Sequence, residues 1–261
     1  MQQCTGDLDA AHLAARQLAH CVACAVGPAS ERRGAGLAGI ALAAAVRTAS
    51  AAAPAPLAGA ADTGLIGRDS ELSRLRGLVD PPPAESRVLV LLGDAGMGKT
   101  VLLAEAAREA RSAGLRVLQV AGRESERDLA FAGLHQLLRP VLDRVASLPD
   151  RQAEALLGAF GLSAEPAPAG ALLTGLAVLT LLSNLCEDRP LLLVADDAQW
   201  MDRGSLDTLA FAARRMEAEP LVLLLGTRGN LPPAGFERDF PELRLEPLGT
   251  HPAQQRPRPP P

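Results

Sequence analysis

Gly93-Asp94-Ala95-Gly96-Met97-Gly98-Lys99-Thr100 brings three glycines, an ammonium and a hydroxyl into eight consecutive residues. The spacing fits G-x-x-x-x-G-K-[ST]. Glycines let a backbone curl until several N–H groups point at one centre, which suits a chain of phosphates. A helix opening at the same place adds the positive end of its dipole. In such a loop Lys99 reaches the outer phosphates and the Thr100 hydroxyl ligates Mg²⁺. The chain carries 26 basic residues, and Lys99 is the only lysine among them. A compact ammonium is what a phosphate loop requires, and arginine's planar fork does not replace it.

A second motif complements the first. Leu191 to Ala195 is an aliphatic run that ends in Asp196-Asp197. A strand of that composition delivers both carboxylates to its carboxyl end, where open α/β sheets bind ligands. Asp196 is expected to hold Mg²⁺ through water, and Asp197 to polarise an attacking water. A further run, Leu221 to Leu225, leads into Gly226-Thr227-Arg228. Beside the same phosphates, Thr227 would orient water and Arg228 would sense the outermost phosphate. Gln199 is placed to bridge Asp197 and the nucleotide, whereas Trp200 and His135 read as packing residues. The expected catalytic set is Lys99, Asp197 and Arg228, with Thr100 and Asp196 as metal ligands.

These residues need a scaffold of alternating strands and helices. Leu72, Leu75, Leu78 and Val79 recur at helical spacing after Asp69, an expected cap. Val88 to Leu92 is continuously apolar, as in a strand buried on both faces. A helix from Lys99 to Ala113 closes at Gly114. Strands follow at 116–121, 191–195 and 221–225, with an edge strand at 243–248. Helices are expected over 128–147, broken by Pro140, over Ala171 to Cys186, and over 205–216. Pro166 and Pro168 mark a loop. The sum is an α/β fold, a P-loop NTPase whose parallel five-stranded sheet is sandwiched between helices.

Composition narrows the alternatives. A chain of 261 residues, 48% hydrophobic and 21% charged, buries a core without disulfides or a structural metal. Its net charge is −4 with five Phe, one Trp and no Tyr, which argues against a duplex-reading module or a base-stacking platform. Four cysteines, at 4, 21, 24 and 186, make no disulfide framework, so a reducing, cytoplasmic setting is expected. Cys21 and Cys24 lack a second ligand pair for zinc, a following His for haem, and a βαβ context for redox work. The Ala-rich stretch 1–62 is expected to be a disordered or weakly helical leader. Its apolar run from Gly34 to Val46 is too short to cross a bilayer. Residues 63–248 form the expected ATPase domain and 249–261 a Pro-rich tail.

Several stretches carry a family resemblance. Ile66-Gly67-Arg68 with Glu71-Leu72, the phosphate loop, Gly122 to Glu126, Phe131 to Pro140, and Asp196 to Trp200 with Asp202 resemble the ATPase domain of large ATP-binding LuxR-type regulators. Those proteins stand with the STAND and AAA-type P-loop ATPases. The resemblance covers residues 64–248. It implies ATP with Mg²⁺, adenine contacts from Gly67 and Arg68, and a nucleotide-gated switch that controls transcription. Family members continue into a helical lid, a winged helix, helical repeats and a DNA-binding helix-turn-helix. The text after Gly249 departs from that pattern, so the chain is expected to be truncated, to bind no DNA or membrane itself, and to act through a protein partner or a missing C-terminal region.

Three functions stay open at this point. The first is an ATP-binding switch with slow hydrolysis, because the Asp197 arm is one methylene shorter than a glutamate base. The second is a small-molecule kinase, for which Arg123, Arg127 and Arg139 would supply a lid. The third is a non-catalytic ATP-binding remnant.

Overall fold

The computed structural model describes residues 67–163 and 170–247. The expected leader, the Cys21–Cys24 pair, the Pro166–Pro168 loop and the tail from 249 lie outside the described residues. The outer edges of the expected 63–248 domain do so as well.

The chain runs α1 (Asp69–Val79), β1 (Arg87–Gly93), α2 (Lys99–Ser112), β2 (Arg116–Ala121), α3 (Ala132–Leu138), α4 (Asp150–Ala159), α5 (Ala171–Asp188), β3 (Leu191–Asp196), α6 (Arg203–Ala213), β4 (Leu221–Arg228) and β5 (Glu242–Arg244). Short 3₁₀ segments stand at Glu124–Glu126, Arg139–Ser147 and Ala198–Trp200. The five strands are ordered β2-β3-β4-β1-β5 and every pairing is parallel. β4 therefore lies between the strand that leads to the phosphate loop and the strand that ends in the acid pair. Register aligns their carboxyl ends, with Gly93 opposite Arg228 and Ala121 opposite Asp196.

Alternation along the strands divides the core into two layers. Leu89, Leu91, Leu192, Val194, Val222 and Leu224 pack under α1 and α2, with Leu75, Leu102 and Ala106. Val90, Leu92, Leu193, Leu223 and Leu225 face the other layer, built by α3 to α6. Strands buried on both faces are what the continuous aliphatic runs foretold. α5 is long and apolar enough to cross a membrane, at 18 residues and mean hydropathy 1.3. It serves instead as a core helix, with Ala177, Val178, Leu181, Leu182 and Leu185 buried. Cys186, on the same helix, is buried, which pushes its thiol up to about 12 and keeps it protonated.

The structure corrects several expectations. Asp69 does not cap α1 but begins it, because the chain enters through Gly67 at φ 78° and the helix starts one residue early. Asp69 and Glu71 act as first-turn acids. Residues 128–147 form one short helix and a 3₁₀ segment with Val141 outside helical φ/ψ, since Pro140 ends the regular ladder. β4 continues three residues beyond Leu225, and β5 is only Glu242–Arg244. α6 begins at Arg203, capped by Asp202, whose carboxylate accepts the Ser205 N–H. α4 was not expected, although Ala153, Leu156 and Leu157 form its buried stripe.

Candidate functional site

β1 ends at Gly93, and the loop turns through Gly96 at φ 81° and Gly98 at φ 88° before α2 begins at Lys99. Only glycine takes that backbone cheaply. No side-chain cap bond from Gly98 is made at the start of α2, where a helix's first N–H groups have no intrahelical partner. The Lys99 ammonium donates to the carbonyl oxygens of Gly93 at 2.7 Å and Asp94 at 2.9 Å. Burial lowers its pKa, and the carboxylates of Asp196 and Asp197 pull it back up. Gly93 sits against Leu245, whose Cβ would lie 3.2 Å from an added Cβ.

The acid pair meets this loop directly. Thr100 Oγ1 donates to Asp196 Oδ2 at 2.6 Å, and the Asp197 N–H donates to Asp196 Oδ1 at 2.9 Å. Asp196 is buried, and that burial raises its pKa despite both hydrogen bonds. Its carboxylate fits because Gly226 lacks a Cβ, which would lie 2.8 Å from Asp196 Oδ1. Thr227, near the end of β4, is buried.

Asp197 takes left-handed backbone, φ 46° and ψ 43°, a conformation that Asp tolerates better than most residues. Its carboxylate is held by two side chains. Arg228 donates Nε to Oδ1 at 3.0 Å and Nη2 to Oδ2 at 3.3 Å. Gln199 donates Nε2 to Oδ1 at 2.8 Å, while its Oε1 accepts the Arg228 N–H at 2.9 Å. Pairing with Asp197 raises the Arg228 pKa further. The structure thus unites Lys99, Thr100, Asp196, Asp197 and Arg228, and Gln199 binds Asp197 as expected.

Gly67 and Arg68 do not line the cleft around Lys99. Gly67 is exposed, whereas the buried Arg68 guanidinium faces protein. It donates to Glu71 Oε1 at 2.7 Å, the Glu246 carbonyl at 2.7 Å and the Met97 carbonyl at 3.3 Å. Arg68 therefore ties α1 to the far side of the phosphate loop. His135 packs its ring against Phe160, 5.1 Å between centroids, and burial lowers its pKa.

Two positioning residues were not legible as such. Asp202 was read only as part of a resemblance, yet its buried carboxylate accepts four hydrogen bonds. The donors are Phe131 N (2.7 Å), Gly133 N (3.0 Å), Ser205 N (2.9 Å) and Ser205 Oγ (2.6 Å). It caps α3 and α6 together. Gly122, after β2, leaves room for the acid loop: a Cβ there would lie 2.4 Å from Asp197 O. An isolated glycine at a strand exit is the available sequence signal.

A cleft of about 270 Å³ lies among Ala95, Gly96, Gly98, Lys99, Thr100 and the Asp197–Arg228 pair. Its chemistry suits a phosphate chain, with uncapped N–H groups, one ammonium and one guanidinium. Among the described residues no three His, Cys, Asp or Glu side chains cluster as a metal centre. Mg²⁺ shared with phosphates needs only one or two carboxylates, so Thr100 and Asp196 fit it.

The sequence profile of the AAA ATPase domain matches residues 64–225. Among curated proteins none matches. Among solved structures, the Aeropyrum pernix ORC2 protein in its ADPNP–ADP complexes is 19% identical, with TM-score 0.44, over 69% of this chain and 48% of that one. Drosophila ORC bound to DNA is 18% identical, with TM-score 0.47, over 69% of this chain and 43% of that one. A chain in the E. coli HORMA:CdnC:Trip13 complex is 16% identical, with TM-score 0.40, over 69% and 63%. This chain spans about half the length of the two ORC proteins.

Proposed function

The chain belongs to the AAA ATPase domain family, and from that premise we propose that it is the Mg-ATP-binding switch domain of a LuxR-type transcription regulator, cytoplasmic and slow in hydrolysis. The observation that carries this reading is the 2.6 Å bond from Thr100 to Asp196, which joins the phosphate loop to the acid pair. The domain is taken as residues 63–248. The stretches 122–126 and 131–140, with Asp202, support the LuxR-type assignment through the resemblance already described.

In this reading the N–H groups of residues 93–100 bind the phosphates of ATP. Lys99 leaves the loop carbonyls for the outer phosphates, and Thr100 with Asp196 holds Mg²⁺. The metal, when bound, neutralises charge that builds on the transferred phosphate. Asp197 orients water, and Arg228 reports whether the outermost phosphate is present. Gly67 offers backbone to the adenine, and Arg68 fixes that backbone against Met97. A partner protein or a further regulator region reads the switch.

A second reading has its own observation. Arg228 and Gln199 already occupy the Asp197 carboxylate, which suits an ATP-binding switch without turnover. Phosphate release under saturating Mg-ATP separates the two.

The binding test is Lys99→Ala. Loss of a charge-assisted contact to phosphate should weaken Mg-ATP by at least about 100-fold, or ~3 kcal/mol. Calorimetry showing unchanged affinity in a folded variant would sink the assignment.

A further inference from the structure

A second cavity, of about 620 Å³, opens at the amino-terminal end of the sheet, where β1 begins. β1 runs from Arg87 to Gly93 and the lining reaches Leu89, so roughly 13 Å separates the cavity's near edge from the phosphate loop. Its apolar lining includes Leu78 of α1, Leu89 of β1, Met216 after α6, and Phe240 before β5.

The charged lining is unequal. Arg214 is engaged: its Nε lies 3.7 Å from Asp239 Oδ2, and its guanidinium stands 5.4 Å from the Phe240 ring centroid. Arg74 and Arg87 differ. Each gives one N–H to a main-chain carbonyl, of Glu242 at 3.5 Å and of Gly77 at 3.1 Å. Among the described residues neither forms an ion pair with a carboxylate. A guanidinium has five N–H donors, so most of theirs remain available. Ser86 Oγ, also in the lining, is shielded from solvent and has no hydrogen-bond partner. Among the described residues, the lining also holds the carboxylates of Glu217 and Asp239.

An apolar floor with an aromatic ring, two guanidinium groups not paired with a carboxylate and an unpartnered hydroxyl point to one ligand chemistry. We propose that this cavity binds a small amphipathic organic anion, an aromatic body carrying a single acidic group. Glu217 disfavours a polyanion there, which separates this ligand from a nucleotide. The proposal does not depend on the ATP reading, and the distance between the sites lets both be filled together.

The test is a fluorescence titration of the full chain with 8-anilinonaphthalene-1-sulfonate, repeated with saturating Mg-ATP. Its uncharged ring analogue, N-phenyl-1-naphthylamine, is the control. The sulfonate should bind saturably, one per chain, with or without Mg-ATP. In the double variant Arg74→Gln, Arg87→Gln its affinity should fall about tenfold, while the neutral dye is unchanged. Added salt should weaken the sulfonate alone in the unaltered chain, which keeps the idea testable if the double variant fails to fold. Non-saturable binding, displacement by Mg-ATP, equal loss for both dyes, or salt-insensitive sulfonate binding would each overturn the proposal.

Discussion

The loop after β1 and the loop after β3 line one cleft, yet they are held in different ways. The phosphate loop takes its shape from within, with Arg68 bonding the Met97 carbonyl as an outside tie. Gly96 and Gly98 take positive φ without strain, and Lys99 bonds to carbonyls of its own loop. Nothing would touch a Cβ at Gly96, so glycine is there for its backbone and not for space. The acid loop has the Gln199–Asp197 bond within it but leans mostly on neighbouring elements. Asp197 keeps φ 46°, a conformation that costs on the order of 1 kcal/mol for a residue with a side chain. Gly122, just after β2, and Arg228 from β4 brace it, and Asp202 ties the end of the loop to α3. A local conformation can be retuned by local substitutions, whereas a clamped one transmits them.

Asp202→Ala should give the largest effect that this contrast predicts. The substitution deprives two helix N-termini and the Ser205 hydroxyl of their acceptor inside the fold, where Asp202 is 3% exposed. Loss of a cap plus orphaned buried donors should cost about 3–5 kcal/mol. Urea unfolding measures it, and a loss below about 1 kcal/mol would show that α3 and the acid loop are not tied through this carboxylate.

That prediction also marks where the sequence was legible. The phosphate loop could be read because its whole determinant lies in eight residues, between an aliphatic strand and a helix. The strands could be read because burial on both faces leaves a continuous aliphatic run. Asp202 was legible as a motif residue but not as a clamp, since its partners at Phe131 and Gly133 are about 70 positions away. Arg68 was legible only through the resemblance, since two of its guanidinium's partners, the carbonyls of Met97 and Glu246, are far from it in the chain. α4 was missed because its stripe is short and follows directly on the irregular 139–147 segment.

Gly122→Ala sharpens the contrast next. The new Cβ would stand 2.4 Å from Asp197 O and 3.0 Å from Met201 N, both backbone atoms that cannot swing aside. Overpacking of this kind should cost about 2 kcal/mol. Phosphate release should fall more than Mg-ATP affinity, because the phosphate loop does not lean on Gly122. Equal losses in turnover and affinity would show that the two loops are one unit.

Asp196→Asn tests the burial at the meeting point. Burial raises the Asp196 pKa, so the folded state takes up a proton more readily than the unfolded chain. Ionised Asp196 therefore destabilises the ligand-free fold at neutral pH. The penalty fades as pH falls through the folded pKa and vanishes below the ordinary carboxylate value. The amide should stabilise the ligand-free protein by on the order of 1 kcal/mol at pH 7.5, less in acid, and weaken the Mg²⁺ dependence of ATP binding. Thermal melts across pH measure the first effect, and a gain that does not shrink in acid would refute the burial argument.

Arg228→Gln should have the smallest effect on the fold and the most specific effect on the ligand. The Arg228 side chain is 50% exposed, so its pair with Asp197 is screened by solvent. Losing it should change stability by less than about 1 kcal/mol. Gln199 still donates to Asp197 Oδ1, so the acid loop keeps one of its supports. Toward nucleotide the expectation differs. If Arg228 leaves Asp197 for the outermost phosphate, ATP affinity should fall several-fold while ADP affinity stays level. If Arg228 serves only to brace Asp197, both affinities should hold and turnover alone should change. The measurement is paired calorimetry with Mg-ATP and Mg-ADP on the variant and the unaltered chain. An unchanged ratio of the two affinities would remove Arg228 from phosphate sensing and leave it as one more outside support of the acid loop.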